Sequence, residues 1–432
     1  MTDRNQDKPK ATRRGFLAAT AGLAAVAGSN LVHGSAHALD AAPSAATEGA
    51  KTTEPFWGAH QSGIITPSQT HTYFATFDLT TAKRQDVEKL LRVWTNAAAQ
   101  LCEGKSVDLP DVGNYAATPD PGDVLGLPPS RLTLTFGFGT GLFVKDGNDR
   151  YGLRAHRPEA FVDLPNFPGD QLLPARTGGD LSVQACADNP QVAFHAVRQL
   201  THLAYGLAQI RWVQAGFNSD YGVNGTPRNL MGFKDGTGNP SIKDPKEMET
   251  VVWAGDEAPL WLRGGSYLVI RRARIALEHW DRMNVVFQEQ TFGRKKTSGA
   301  PLGAEKEFDP VDLDAKDSDG NPIIPENSHV RLAHQASLEG SRILRRAFSY
   351  DDGANFIAER WPPWRQGMEF DAGLIFICYQ RDLRNGFIKI FEKMSRYDMM
   401  NQFVTNTGGG HFVCPSGVDR GEYIGQRLFE TA

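Results

Sequence analysis

Three short segments carry the side chains that could do chemistry. In Gly232-Phe233-Lys234-Asp235-Gly236-Thr237-Gly238-Asn239-Pro240 one carboxylate stands among glycines, which let the backbone lie close against something flat or bulky. Ser328-His329-Val330-Arg331-Leu332 supplies an imidazole, and Arg342-Ile343-Leu344-Arg345-Arg346-Ala347-Phe348 supplies an arginine pair in an apolar setting. A held carboxylate passes protons, a neutral imidazole ligates transition metals, and a guanidinium steadies developing negative charge while keeping its own proton. Each also has a plainer reading. Asp-Gly is a common turn, a lone histidine is more often a hydrogen-bonded structural residue, and a strand arginine pair is usually a solvated edge. Ile343, Leu344, Ala347 and Phe348 argue against full exposure of that pair. No His-Glu-x-x-His or carboxylate cluster suggests zinc or a carboxylate-held iron.

Composition narrows the setting. The 432 residues carry a net charge of -4, and the tracts Arg271-Arg272 and Arg294-Lys295-Lys296 are short, so no footprint for nucleic acid is expected. Thr12-Arg13-Arg14-Gly15-Phe16-Leu17 follows a polar, basic start, leads into an Ala/Gly-rich apolar run and precedes Ala36-His37-Ala38, a small-residue cleavage site. This predicts a twin-arginine export signal over 1–38, a linker over 39–56 and a periplasmic mature protein. A short membrane anchor is the alternative, but the run from Gly15 to about Val32 is barely long enough to span. No second apolar run reaches membrane length, so the mature form is not expected to span. Export of an already folded chain favours a cofactor protein. Cys102, Cys186, Cys378 and Cys414 form no Cys-x-x-Cys. Having folded under reducing conditions, they are expected as buried free thiols.

The elements that must position these segments repeat in each half. Tyr73, Ala75, Phe77 and Leu79 alternate as a half-buried strand, and after Thr81 a helix carries Val87, Leu90, Leu91, Trp94 and Ala98 on one face. Strands follow at Leu132–Phe138 and Leu181–Ala185. Asn189-Pro190 then caps a helix bearing Ala193, Val197, Leu200 and Leu203, and Ile210–Phe217 closes the set. The second half offers a strand at Ser266–Ile270, a short helix from Ile275 to about Met283, strands at Val330–Ala333 and Gly373–Tyr379, and an Asp382-capped helix with Leu383, Phe387, Ile390, Phe391 and Met394. Two strand-helix-strand-strand-helix-strand units predict an α+β chain with a duplicated ferredoxin-like fold: two antiparallel sheets with peripheral helices, in domains over 57–240 and 241–432. The polar stretch 294–327 is a long connection leading directly to His329.

Taken together and in this order, the three segments resemble those of the dye-decolourising haem peroxidases. His60-Gln61-Ser62-Gly63-Ile64-Ile65-Thr66-Pro67 looks like that family's opening motif, and Gly373-Leu374-Ile375-Phe376-Ile377-Cys378-Tyr379-Gln380 with Gly408-Gly409-Gly410 resembles its closing ones. The likeness runs from about residue 57 to the C-terminus and is nearest to the twin-arginine-exported subgroup, which includes deferrochelatase/peroxidases. It implies one non-covalent haem b per chain, consistent with the lack of a Cys-x-x-Cys-His attachment site. It implies His329 as the proximal iron ligand, Asp235 and Arg345 as the catalytic pair, Arg345 rather than Arg346 at the haem, and haem contacts from Gly236, Thr237 and Gly238. Leu374 and Phe376 would line the distal side, and Asp382 would take the other ring proton of His329. Where the subgroup shows Asn-Pro-Arg, a segment with a part in gripping a haem propionate, this chain has His334-Gln335-Ala336 as the corresponding haem contacts, and Ala347 replaces the glycine usual after the arginine pair.

The implied activity is peroxide-driven, one-electron oxidation of phenolic or dye-like donors through a ferryl species. The alternatives are iron extraction from haem, or ferrous-iron oxidation beside an iron-uptake permease. The Asp235 motif argues against a chlorite dismutase. Partners on this reading are hydrogen peroxide and small donors, with homo-oligomerisation left open. Trp253, Trp261, Trp361 and Trp364 are candidate radical hosts, although tryptophan more often packs.

Overall fold

Two runs of alternating strands and amphipathic helices build the described residues, 52–107, 120–219, 225–358 and 366–431, in a computed structural model. The export signal, most of the linker, and Trp361 and Trp364 lie outside the described residues. In the first half, strand β1 (His71–Leu79) leads to helix α1 (Arg84–Cys102), then β2 (Thr133–Phe138), β3 (Leu181–Ala187), helix α2 (Pro190–Leu203) and β4 (Ala208–Phe217). Asn189 caps α2 as expected, its side chain accepting from Gln191 N and Val192 N. The second half runs β5 (Ser266–Ile275), helix α3 (His329–Ala333), β6 (Leu344–Arg345), β7 (Phe348–Ala358), β8 (Gln366–Gln380), helix α4 (Lys389–Tyr397) and β9 (Val404–Cys414).

All strand pairings are antiparallel. The two sheets expected from the sequence prove to be one ladder. Its order is β5-β9-β2-β3-β1-β4-β7-β8, and β8 pairs back onto β5, closing a barrel; β6 adds a short flank on β8. The halves join at two narrow seams, Phe138 against Val413 and Phe217 against Ser349. Closure pairs edges that would otherwise present bare N–H and C=O groups.

Alternation decides what fills each side. Phe74, Trp212, Leu268, Ile270, Phe348, Tyr350, Ile375, Ile377, Tyr379 and Phe412 form one buried cluster drawn from six strands, the filling of the barrel. The opposite faces meet helices. Trp94 of α1 packs between Phe77 and Phe136, and its indole donates to the carbonyl of Leu200 in α2. On the opposite face of β5 and β8, Arg271, Ala273, Leu374 and Phe376 line a cavity that α3 and α4 also border.

Two expected elements differ. Val330–Ala333 belongs to helix α3, since a four-residue apolar run does not distinguish strand from helix. The Asp382 segment enters a wide turn over Arg384–Ile388, pivoting at Gly386, before α4 begins. All four cysteines are buried and unpaired, and burial pushes the Cys102 thiol up to about 12. Among the described residues, no helix is long and apolar enough to cross a membrane.

Candidate active site

The cavity encloses about 840 Å³ and gathers most of the residues singled out in the sequence. Asp235, Gly236, Thr237 and Gly238 come from the connection between β4 and β5, His329 from the first turn of α3, Arg345 from β6, and Leu374 and Phe376 from β8. Gly236 sits at φ +121°, where a side chain is strained. A Cβ on Gly238 would meet nothing within 4 Å, so the loop presents bare backbone to open space.

Asp235 and Arg345 form a direct pair, Nη1 to Oδ1, at 2.8 Å. Both are held from behind. Asp235 N donates to the carbonyl of Pro227. Asn239 grips the backbone of Arg345 twice, accepting from its N–H at 3.1 Å and donating to its carbonyl at 2.8 Å. The loop is latched to the long polar connection, where Glu307 accepts from Thr237 Oγ1 at 2.9 Å and pairs with Lys234. These partners hold the Glu307 carboxyl below its usual range against the opposing effect of burial. Arg346 does not line the cavity: on the next residue of an extended segment it turns away and donates to Thr66 O and Gln69 Oε1.

His329 Nδ1 lies 2.7 Å from Oδ2 of Asp398, a buried carboxylate whose Oδ1 accepts from Met400 N at 2.8 Å. Asp398 therefore occupies the position expected of Asp382. Asp382 instead pairs with Arg384 at 2.8 Å and caps the wide turn, because its neighbour two residues on claims it first. With Nδ1 engaged, Nε2 has no hydrogen-bond partner among the described residues and is the ring's available donor atom.

Of the segment after the histidine, His334 and Gln335 line the cavity and Ala336 does not. Ala336 N instead donates to His334 Nδ1 at 3.2 Å, opening a short helical turn. Burial, reinforced by the positive charge of Arg294, holds the His334 imidazole below its usual range. Arg294 was not foreseen. It lines the cavity and spends Nη1 on the carbonyls of Gly299 and Glu307. Burial pulls its guanidinium below the usual range, with Glu307 opposing and Arg345 adding to the effect, so an anion beside it would be welcome. Arg271, also on the wall, is buried against Asp170 and lies over the rings of Phe167 and Phe391. Phe376, Phe387 and Phe391 complete an aromatic stretch.

The described chain thus joins an oriented imidazole, a carboxylate-guanidinium pair and an apolar slot rimmed by cations. Residues 61–218 match the model of the Dyp-type peroxidase N-terminal domain, and residues 226–419 that of its C-terminal domain. The chain belongs to the Dyp-type peroxidase family. A curated Deferrochelatase of Shigella flexneri serotype 5b (strain 8401) is 35% identical over 424 residues, covering 95% of this chain and 96% of the relative. Among solved structures, ferric DtpA from Streptomyces lividans is 37% identical, with TM-score 0.78 over 88% of this chain and 98% of that one. A Rhodococcus jostii DypB variant solved in complex with heme shares the fold, with TM-score 0.57 and 20% identity over 82% of this chain and 96% of that one. This Dyp-type chain hides its most informative missed residue well: Asp398 lies 69 positions beyond His329, with no spacing that announces the pair.

Proposed function

We propose that the protein is a non-covalent haem b peroxidase, with His329 Nε2 as the protein ligand to iron. The observation that carries this reading is the His329–Asp398 pair facing the same cavity as the Asp235–Arg345 pair. The donor set fits the group. A neutral, anchored imidazole suits iron, about 840 Å³ is within the range of cofactor sites, and Arg294 offers a buried cation to a carboxylate such as a haem propionate. His334 and Gln335 stand where the subgroup has other residues, and their neutral side chains leave that role to arginine.

Held by His329, haem would supply an iron able to react with hydrogen peroxide and to oxidise donors one electron at a time. Asp235 accepts a proton from one peroxide oxygen and returns it to the other, so that the O–O bond breaks with release of water. Arg345 steadies the negative charge that builds on the departing oxygen, and its 2.8 Å bond to Asp235 keeps that carboxylate aimed. Asp398 Oδ2 accepts a hydrogen bond from His329 Nδ1 and so leaves Nε2 facing the cavity. Over a full cycle one peroxide, two protons and one electron from each of two donors give two waters and two oxidised donors. The test is the optical spectrum of purified protein before and after adding peroxide, alongside His329→Ala. We expect a haem band that changes with peroxide in the wild type and is lost in the variant; full haem with an unchanged spectrum in His329→Ala rules this ligand out.

The deferrochelatase name of the curated relatives favours a second reading, iron removal from haem or ferrous-iron oxidation beside an uptake permease. Metal-free porphyrin fluorescence after incubation with haem separates the two. The strand order in each half, β4-β1-β3-β2 and β9-β5-β8-β7, supports a duplicated ferredoxin-like ancestry with the boundary near residue 240. The Arg13-Arg14 motif supports twin-arginine export to the periplasm. Replacing both with Lys should leave precursor in the cytoplasm, and normal export would overturn that route.

A further inference from the structure

A second group of ligating side chains lies outside the cavity, in the first half. His195, midway along α2, is 2% exposed. Its Nδ1 is 2.7 Å from Oδ1 of Asp123, and its Nε2 is 3.5 Å from Oδ2 of Asp120. Both carboxylates come from the segment ahead of β2. Two buried atoms of this group make no hydrogen bond, His195 Nε2 and Asp120 Oδ2, and on the same helix Gln199 Oε1 is likewise buried without a partner. Gln199 is 1% exposed and lies one helical turn beyond His195 on the same face of α2. Buried polar atoms without partners are rare and call for an explanation.

The bond to Asp123 accounts for Nδ1 alone. At 3.5 Å the Nε2–Oδ2 contact is an ion-pair distance without a hydrogen bond, and Gln199 Oε1 still has no donor. The spacing suits a bridging ion better. Tetrahedral sites with bonds of about 2.0–2.2 Å place neighbouring ligand atoms about 3.3–3.6 Å apart. The Asp123 bond supplies the usual complement, a carboxylate on the other ring nitrogen that fixes which nitrogen faces the metal. One ligand atom from each of Asp120, Asp123 and His195 lies within 4.8 Å of the others.

We propose that His195 Nε2 and Asp120 Oδ2 bind one divalent transition-metal ion of the zinc type, with Asp123 orienting the ring and Gln199 Oε1 available from the same helix face. Imidazole among the donors favours such an ion over calcium or magnesium. Arg198 Nη1, 3.5 Å from Asp123, partly offsets the acidic charge from the solvent side. The ion would tie the segment ahead of β2 to α2, a structural role apart from the cavity.

The test uses the full haem-loaded chain, stripped with EDTA and titrated with zinc chloride by calorimetry. We expect one saturable site per chain, weakened at least tenfold by Asp120→Asn and by His195→Gln, with peroxidase activity unchanged. Zinc should also raise the melting temperature of the wild type and not that of Asp120→Asn. If His195→Gln fails to fold, Asp120→Asn decides, since its carboxylate sits on a loop. Absence of saturable binding, or equal affinity in wild type and Asp120→Asn, overturns the site.

Discussion

Replacing Asp398 by Asn removes the negative charge behind His329 while keeping the shape of the side chain. The carboxylate is buried, its Oδ1 is held by Met400 N and its Oδ2 lies 2.7 Å from the imidazole, so little solvent or motion dilutes its effect. A hydrogen bond to a charged partner is worth about 1.5–3 kcal/mol and a neutral one about 0.5–1.5 kcal/mol, a difference of about 1–1.5 kcal/mol. That charge favours the more positive, ferric iron through the ring, so its loss should raise the reduction potential. For a one-electron couple the difference converts to roughly 40–65 mV. Spectroelectrochemical titration of the haem-loaded variant measures it. Asp382→Asn is the internal control, because Asp382 spends its charge on Arg384, and its potential should stay at the wild-type value. A shift of Asp398→Asn under about 15 mV, a shift downward, or an equal shift in both variants would refute the assignment of Asp398 as the histidine's partner.

Asp235→Asn and Arg345→Leu should each retain haem, and at least one should slow the bimolecular step with peroxide by about 10²-fold in stopped flow; because the two side chains touch, the double variant should lose far less than the product of the single losses. Asn239→Ala frees both ends of the Arg345 peptide, so peroxide turnover should fall about tenfold while haem content stays near wild type, on the scale of one or two hydrogen bonds. Burial lowers the His411 imidazole from 6.5 to about 4, and although part of its ring is accessible, its Nε2 is buried without a partner. Above pH 6.5 both folded and unfolded chains hold it neutral; as pH falls toward 4 the unfolded chain takes up a proton that the folded chain refuses, so up to about 3 kcal/mol of stability is lost across that window. His411→Gln should therefore narrow the drop in urea midpoint between pH 7 and pH 4.5, and an unchanged drop would exclude His411 as its source.

Local signals carried most of what could be read in the sequence. Asn189-Pro190 marks a helix start because an N-cap needs only its own neighbours, and the alternation of Leu374 and Phe376 places them on one face because a strand's period is local too. Val330–Ala333 misleads for the opposite reason: five residues of α3 are shaped by the segments packed around them and too few to show a period. Asp382 was the expected acceptor, whereas the bond to His329 comes from Asp398, set at the end of α4. Closure of the barrel was equally hidden, since each seam rests on one residue pair between strands far apart in sequence.

Arg345 and Arg346 are neighbours with opposite duties, and the second governs the first. In an extended segment adjacent side chains face opposite ways, so a slip of one residue in the short ladder against β8 would turn the wrong guanidinium toward the cavity. Arg346 forbids that slip by fastening to Thr66 and Gln69, which belong to the first half of the molecule. It works as a register lock whose keeper lies about 280 residues away along the chain. The second half carries His329, Asp398 and Arg345, yet severed from the first it would have an arginine free to miss its mark. The two halves are thus a single catalytic unit, each needed to set what the other presents to the pocket.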